Sequence, residues 1–235
     1  MALPKLETPK YEMEIPSTKQ VVEYRPFLVK EEKLLMIAQE TNDSKEIIRV
    51  MRDIIEACTF NKVKANDLTV YDAEYIFLQL RSKSVGENVD FQLKCSECNT
   101  PNRVTLHLGD VGVYSPPNME LVSNKVELTD KVGMTLKPVS MKNAATVDNQ
   151  SEDMITNLLI SVIENIYDED NVYPADNTST EELVEFVESL NHEQVTQIQK
   201  YIASLPSLQH TIVFNCINCK TKNEQVLNGL QDFFV

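Results

Sequence analysis

Two short cysteine motifs, far apart in the chain, constrain this sequence more than anything else in it. FQLKCSECNTPNRVTLHL carries Cys95 and Cys98, and HTIVFNCINCKTKNEQVL carries Cys216 and Cys219; both read C-x-x-C-x-T-x-N. Two residues between thiolates let a tight turn aim both sulfurs at one ion, and two such knuckles complete a tetrahedral shell with bonds of about 2.3 Å to zinc. The pattern therefore predicts a structural Zn2+ held by Cys95, Cys98, Cys216 and Cys219 in the manner of a zinc ribbon. Residues 99 to 215 separate the pairs. That is more than a ribbon needs, so the intervening helices and strands are expected to be an insertion, with the metal stapling early chain to late chain. A closed shell of four thiolates leaves no position for water or substrate, which makes the expected ion structural and not Lewis-acidic.

Other assignments of the cysteines explain less. A thioredoxin-like redox pair would open a helix, where the dipole lowers a thiol pKa, and neither pair begins a helical pattern. Four free thiols would leave the matched flanks and the shared Thr and Asn unexplained. His107 and His210 flank the knuckles, but four cysteines already satisfy the preferred coordination number, so both are read as ordinary strand residues. The fifth cysteine, Cys58, falls in an apolar helical stripe and reads as a small buried residue. Four of five cysteines in C-x-x-C pairs fit metal binding in a reducing compartment better than a disulfide framework.

Around the knuckles the chain reads as α+β: an N-terminal β-hairpin with helices, a central β-rich segment and a helical C-terminal part. Residues 11–15 and 20–25 are short extended runs separated by Pro-Ser-Thr-Lys, a hairpin signature. Asp43 with Glu46 three residues later predicts a capping-box start to a helix whose core face is Ile47, Met51, Ile54 and Cys58. A second helix covers 71–82 on Ala73, Ile76, Phe77 and Leu80, with Gly86 just beyond it. From Glu87 to Lys137 the runs VDFQLK, RVTLHL, MELV, KVEL and GMTLK predict strands. Helical spacing returns at Ile155, Leu158, Leu159, Val162 and Ile166, then at Leu183, Phe186 and Leu190, then at Val195, Ile198, Ile202 and Leu205. Residues 168–180 between the first two are polar and turn-rich, and read as an exposed, mobile loop. Leu227, Leu230 and Phe234 have helical spacing, with Phe233 beside them, so the C-terminus is expected either to cap the core or to anchor a partner. The resulting division is 1–86, 87–137 with the first knuckle, 138–208, and 209–235 with the second knuckle and tail.

Charge and missing motifs narrow the function. A net charge of −14 would repel a phosphate backbone, so no nucleic-acid contact is expected. The longest apolar runs, such as 158–163, are far shorter than the roughly 20 residues of a membrane span. The N-terminus lacks the apolar stretch of a secretory signal, which predicts folding in a cytoplasm. There is no G-x-S-x-G, H-E-x-x-H, phosphate-loop lysine motif or G-x-G-x-x-G, and only five glycines occur in the chain. A binding or assembly protein is expected, with no catalytic residue to name.

The opening PKLETPKYEMEIPSTKQVVEYRPFLVKEEKLLMIAQE, the segment YDAEYIFLQLRSKSVGE and the position of the first cysteine pair resemble the baseplate hub assembly proteins of T-even-type contractile-tailed bacteriophages. The resemblance covers roughly Leu3 to Thr100. It implies a phage protein that helps build the central hub of the tail baseplate, as an assembly helper or a minor hub component. Its partners would be baseplate hub proteins, met in the host cytoplasm or in the virion baseplate, and no catalytic residues come with it. A zinc-ribbon adaptor or regulator of transcription or replication proteins is the alternative from the residues alone. A metal-dependent enzyme would need an open coordination position or a second cluster, and the sequence offers neither.

Overall fold

The computed structural model describes residues 6–41, 43–117, 122–145 and 154–233. The chain opens on the expected hairpin, β1 (Tyr11–Glu14) and β2 (Val21–Tyr24), with Tyr11 opposite Tyr24. Strand alternation turns Met13, Val22 and Tyr24 inward. Helix α1 (Val29–Thr41) follows, and the sequence reading did not anticipate it. Its apolar residues form no single stripe: Leu35 and Ala38 are buried whereas Leu34, Met36 and Ile37 face out. Helix α2 (Ser44–Cys58) is capped by the Asp43 carboxylate, which accepts from the Lys45 N–H. The expected capping box does not form: Asp43 caps the N–H of Lys45 and not that of Glu46, and Glu46 pairs with Arg49 one turn on instead of returning to the cap. Its buried face comprises Val50, Met51, Ile54, Ile55 and Cys58, with Ile47 at the margin. Burial pushes the Cys58 thiol up to about 11, consistent with an inert core residue.

Helix α3 (Val70–Ser84) buries Ala73, Ile76, Phe77 and Leu80 as its spacing requires. The buried Asp72 carboxylate accepts from Ser17 Oγ at 2.5 Å, Ser17 N–H at 3.0 Å and Thr69 Oγ1 at 2.6 Å. One carboxylate thus ties the hairpin turn to the start of α3.

Strands β3 (Asn88–Lys94) and β4 (Pro101–His107) form the first knuckle hairpin, and β5 (Gly112–Tyr114) comes next. Then follow β6 (Lys125–Glu127), β7 (Gly133–Leu136), α4 (Met141–Ala144), α5 (Met154–Val162), β8 (Ile163–Tyr167), β9 (Val172–Pro174), α6 (Thr180–Glu188) and α7 (His192–Ser204). The chain ends on β10 (Ser207–Asn215), β11 (Lys222–Asn228) and a 3-10 turn, Leu230–Phe233. Most of the expected MELV strand lies outside the described residues.

Two sequence readings between Ile155 and Thr180 need correction. The helix expected to run to Ile166 stops at Val162, and Ile163–Tyr167 is a strand. Its register on β7 pairs Met134 with Ile166 but Leu136 with Ile163, so Glu164 is an extra, bulged residue. The bulge brings two isoleucines three apart onto one buried face, and that spacing imitates a helix. Residues 168–180 are exposed but not a plain loop. Asp168 accepts from the Asp170 and Asn171 N–H groups, closing a turn that lets β9 pair with β8, and a 3-10 turn follows at Ala175–Asn177.

Two hydrophobic cores result. The larger joins the N-terminal hairpin, α2, α3, Val89, Phe91 and Leu106 of the first knuckle hairpin, and Leu208, Ile212 and Leu227 of the second. The smaller runs from Val126 to Tyr201 and packs α5, α6 and α7 on the four-stranded sheet β6-β7-β8-β9. Strand β5 pairs with β10, so the chain leaves a three-stranded sheet after Tyr114 and returns to it at Ser207. The C-terminal residues are strand and 3-10 turn where helical spacing was expected. Gly229, at φ +74, turns the chain, and Leu230 and Phe233 enter the larger core. Phe234 lies outside the described residues. Among the described residues no helix is long and apolar enough to cross a membrane.

Candidate metal centre

Each knuckle is a tight turn between antiparallel strands, and the two turns share one backbone design. The Cys95 N–H donates to the Thr100 carbonyl at 3.0 Å and the Asn99 N–H to the Cys95 carbonyl at 3.0 Å. In the second knuckle the Cys216 N–H donates to the Thr221 carbonyl at 2.9 Å and the Lys220 N–H to the Cys216 carbonyl at 3.0 Å. Asn99 and Lys220 both hold positive φ, 55° and 62°, which turns the chain back into the second strand of each hairpin. Asn99 tolerates that conformation; Lys220 is an unusual occupant, and its Nζ reaches the Ile217 carbonyl at 3.0 Å.

The hairpins meet at their tips. All four Sγ atoms, those of Cys95, Cys98, Cys216 and Cys219, lie within 4.8 Å of one another. The contacts cross between knuckles: Cys95 to Cys219 and Cys98 to Cys216 are each 3.6 Å. A disulfide needs about 2.05 Å. Sulfurs at the corners of a tetrahedron with metal bonds of about 2.3 Å stand about 3.8 Å apart, so the spacing matches a tetrathiolate metal site. Cys95 and Cys216 are buried, Cys98 is half-buried and Cys219 is exposed.

Electrostatics at the cluster favour a cation. The Thr100 hydroxyl and amide hold the Cys98 thiol down to about 6. The Cys98 and Glu97 amides likewise lower Cys95. At Cys219 the Thr221 hydroxyl pulls down, but the neighbouring Cys98 and Cys95 sulfurs push up and the net shift is upward. Some thiolates form readily, and their charge opposes ionisation of the last; a bound cation removes that opposition.

The two histidines stand apart from the cluster. His107 accepts the Gly109 N–H on Nδ1 at 3.1 Å and sits 3.5 Å from Glu87, and His210 lies in β10 opposite Leu227. Among the described residues, the cysteine tetrad is the group of side chains positioned to hold a metal ion.

Two further residues belong to the site, and sequence reasoning gave them no role. Asn102 and Asn223, at the last position of the shared motif, are both buried. Asn102 donates to the Thr100 carbonyl at 2.7 Å within its own knuckle and accepts the Ile217 N–H of the other at 2.8 Å. Asn223 repeats this, donating to the Thr221 carbonyl at 2.8 Å and accepting the Ser96 N–H at 2.9 Å. Their amide nitrogens also face the opposing sulfurs, Asn102 toward Cys216 at 3.9 Å and Asn223 toward Cys95 at 3.6 Å. The signal was the recurrence of Asn at one offset in both motifs.

With that geometry in view, the chain belongs to the T4 bacteriophage base plate protein family, whose model matches residues 8–235. The match runs from the N-terminal hairpin through both knuckles, well beyond the segment that carried the resemblance in the sequence. No curated protein and no solved structure matches the chain.

Proposed function

We propose that this baseplate protein serves the central hub, as an assembly helper or a minor component, by binding other baseplate proteins and without turning over a substrate. The observation that carries the reading is the family match over residues 8–235. It favours a baseplate role over that of a zinc-ribbon regulator of transcription or replication proteins. The net charge of −14 supports it physically, because a negative field steers basic protein surfaces inward and disfavours nucleic acid.

The metal in this reading is structural zinc held by Cys95, Cys98, Cys216 and Cys219. Four soft sulfur donors in a single tetrahedral group are the donor set that selects zinc over hard cations such as magnesium or calcium. Bound there, zinc would neutralise the thiolate charge and link residues 95–98 to residues 216–219. Four cysteine sulfurs would fill a tetrahedral shell, which supports a scaffold and not a reaction centre.

Quantitative mass spectrometry of purified phage particles beside infected-cell lysate tests the role. A stoichiometric amount in particles identifies a hub component, and enrichment in lysate with depletion from particles identifies a helper. Normal baseplate hubs after clean deletion of the gene would overturn the proposal.

A further inference from the structure

The crossed hydrogen bonds of Asn102 and Asn223 do something a metal shell alone does not require. Amides next to a thiolate can be supplied by its own turn, as the Thr100 and Thr221 frames show. Here each buried asparagine instead spends its carbonyl oxygen on a main-chain N–H of the opposite knuckle, the residue directly after that knuckle's first cysteine. Its amide nitrogen is already committed to its own Thr carbonyl, so its orientation is fixed before the partner arrives. A buried amide oxygen without a donor is costly, and each oxygen finds its main-chain donor only when the hairpins are docked. Two lesser contacts run the same way: Ser96 Oγ to Asn223 Oδ1 at 3.1 Å and Asn218 Nδ2 to Thr100 Oγ1 at 3.3 Å. None of these bonds includes a metal. Behind the tips, both hairpins are anchored in the same hydrophobic core through Val89, Phe91, Leu106, Ile212 and Leu227.

We infer that Asn102 and Asn223 are positioning residues that dock the two knuckles on each other without the ion, so that the metal closes a preformed site instead of assembling it. The inference rests on the metal reading above for its consequence, but the docking itself does not depend on it. Preorganisation raises metal affinity because the cost of bringing distant chain segments together is met by the protein fold. Residues that orient ligands from outside the coordination shell typically change affinity by about 10 to 100-fold when removed.

The test uses the full-length protein, reduced and stripped of metal. Amide hydrogen exchange is followed at Ser96 and Ile217, and zinc affinity is measured by competition with a chromophoric chelator. In the metal-free wild type both amides are expected to be protected. The substitutions should act crosswise: Asn102→Ala releases Ile217 and Asn223→Ala releases Ser96, while Ile54 and Ile55 in α2 stay protected. Each variant should bind zinc about 10 to 100-fold more weakly. Free exchange of both amides in the metal-free wild type would overturn the inference without recourse to any variant. So would a zinc affinity unchanged in the double variant. If the wild type takes up no zinc, the metal reading fails, and protection of Ser96 and Ile217 still decides whether the asparagines dock the knuckles.

Discussion

The two hydrophobic cores are built in opposite ways. The smaller is assembled from one stretch, Val126 to Tyr201, whose hairpins and helices are near neighbours in sequence. The larger draws Met13 to Val111 together with Leu208 to Phe233, with Met141 the one buried contribution from the described residues between, and so must hold the beginning of the chain against its end. Closing that long a loop carries an entropic cost that grows with its length, though slowly. Both knuckles lie on the larger core and neither on the smaller, so the cysteine tetrad stands where the long-range closure is. A metal bound by the tetrad would secure the core whose parts are distant and leave the local one to its own packing.

Breaking the cross-link should separate the cores most sharply. Structural zinc contributes on the order of 10 kcal/mol in small thiolate sites that are unfolded without metal; here the fold itself docks the knuckles, so loss of the ion should lower the stability of the larger core without unfolding it. Cys216→Ser is therefore expected to destabilise β3, β4, β10 and β11 and the core beneath them, while α6 and α7 keep their amide protection. Hydrogen exchange resolved by segment checks this, and simultaneous loss of protection in both regions would merge the cores into one cooperative unit. Smaller, matched truncations sharpen the same contrast. Phe233 and Ile163 are fully buried, one in each core. Phe233→Ala should cost about 3–5 kcal/mol and Ile163→Ala about 2–5 kcal/mol, read as urea midpoints. Each should loosen its own core and leave the other unchanged.

The larger core carries a buried ion pair that is sensitive to pH. Arg25 pairs with the buried Glu31 at 2.9 Å, and Glu31 also accepts the Leu28 N–H at 2.8 Å. Burial pushes the Glu31 carboxyl up, but Arg25, the Leu28 N–H and Lys30 together hold it below the ordinary carboxylate value. A carboxyl lowered in the folded state stabilises above its unfolded pKa, and that contribution is lost as pH falls through the folded value, below about pH 4. Arg25→Met leaves the buried carboxylate with only the Leu28 N–H and the exposed Lys30 and should cost up to about 3 kcal/mol at neutral pH, with the penalty shrinking on acidification. A pH-independent penalty would show that packing and not charge was lost. The smallest expected effect belongs to the other core: Ser179→Ala removes the capping box of α6 and should cost about 1 kcal/mol, seen as a small shift in the α6 exchange rates.

What the sequence made legible follows from the range of the interactions involved. The hairpin of β1 and β2, the stripes of α2 and α3 and the two knuckles rest on local spacing, and each was readable. The tetrad itself was readable because identical motifs recur and four thiolates have few other uses. Helix α1 was missed because its apolar residues point both inward and outward, which erases the periodic signal. The strand at Ile163 was mistaken for helix because a bulge at Glu164 reproduces a three-residue spacing, and bulges depend on the partner strand. The roles of Asn102 and Asn223 could not be assigned for a related reason. Each acts on the opposite knuckle, so its partner is invisible until both hairpins are placed.

The most direct test is the metal content and ligand set of the freshly purified full-length protein, by elemental analysis together with X-ray absorption at the zinc edge. The expected result is about one zinc per chain in a shell of four sulfurs at about 2.3 Å, lost alike in Cys95→Ser and Cys216→Ser. A zinc content below about half an equivalent that neither substitution changes, or a shell containing nitrogen or oxygen, would contradict a tetrathiolate staple between the two knuckles.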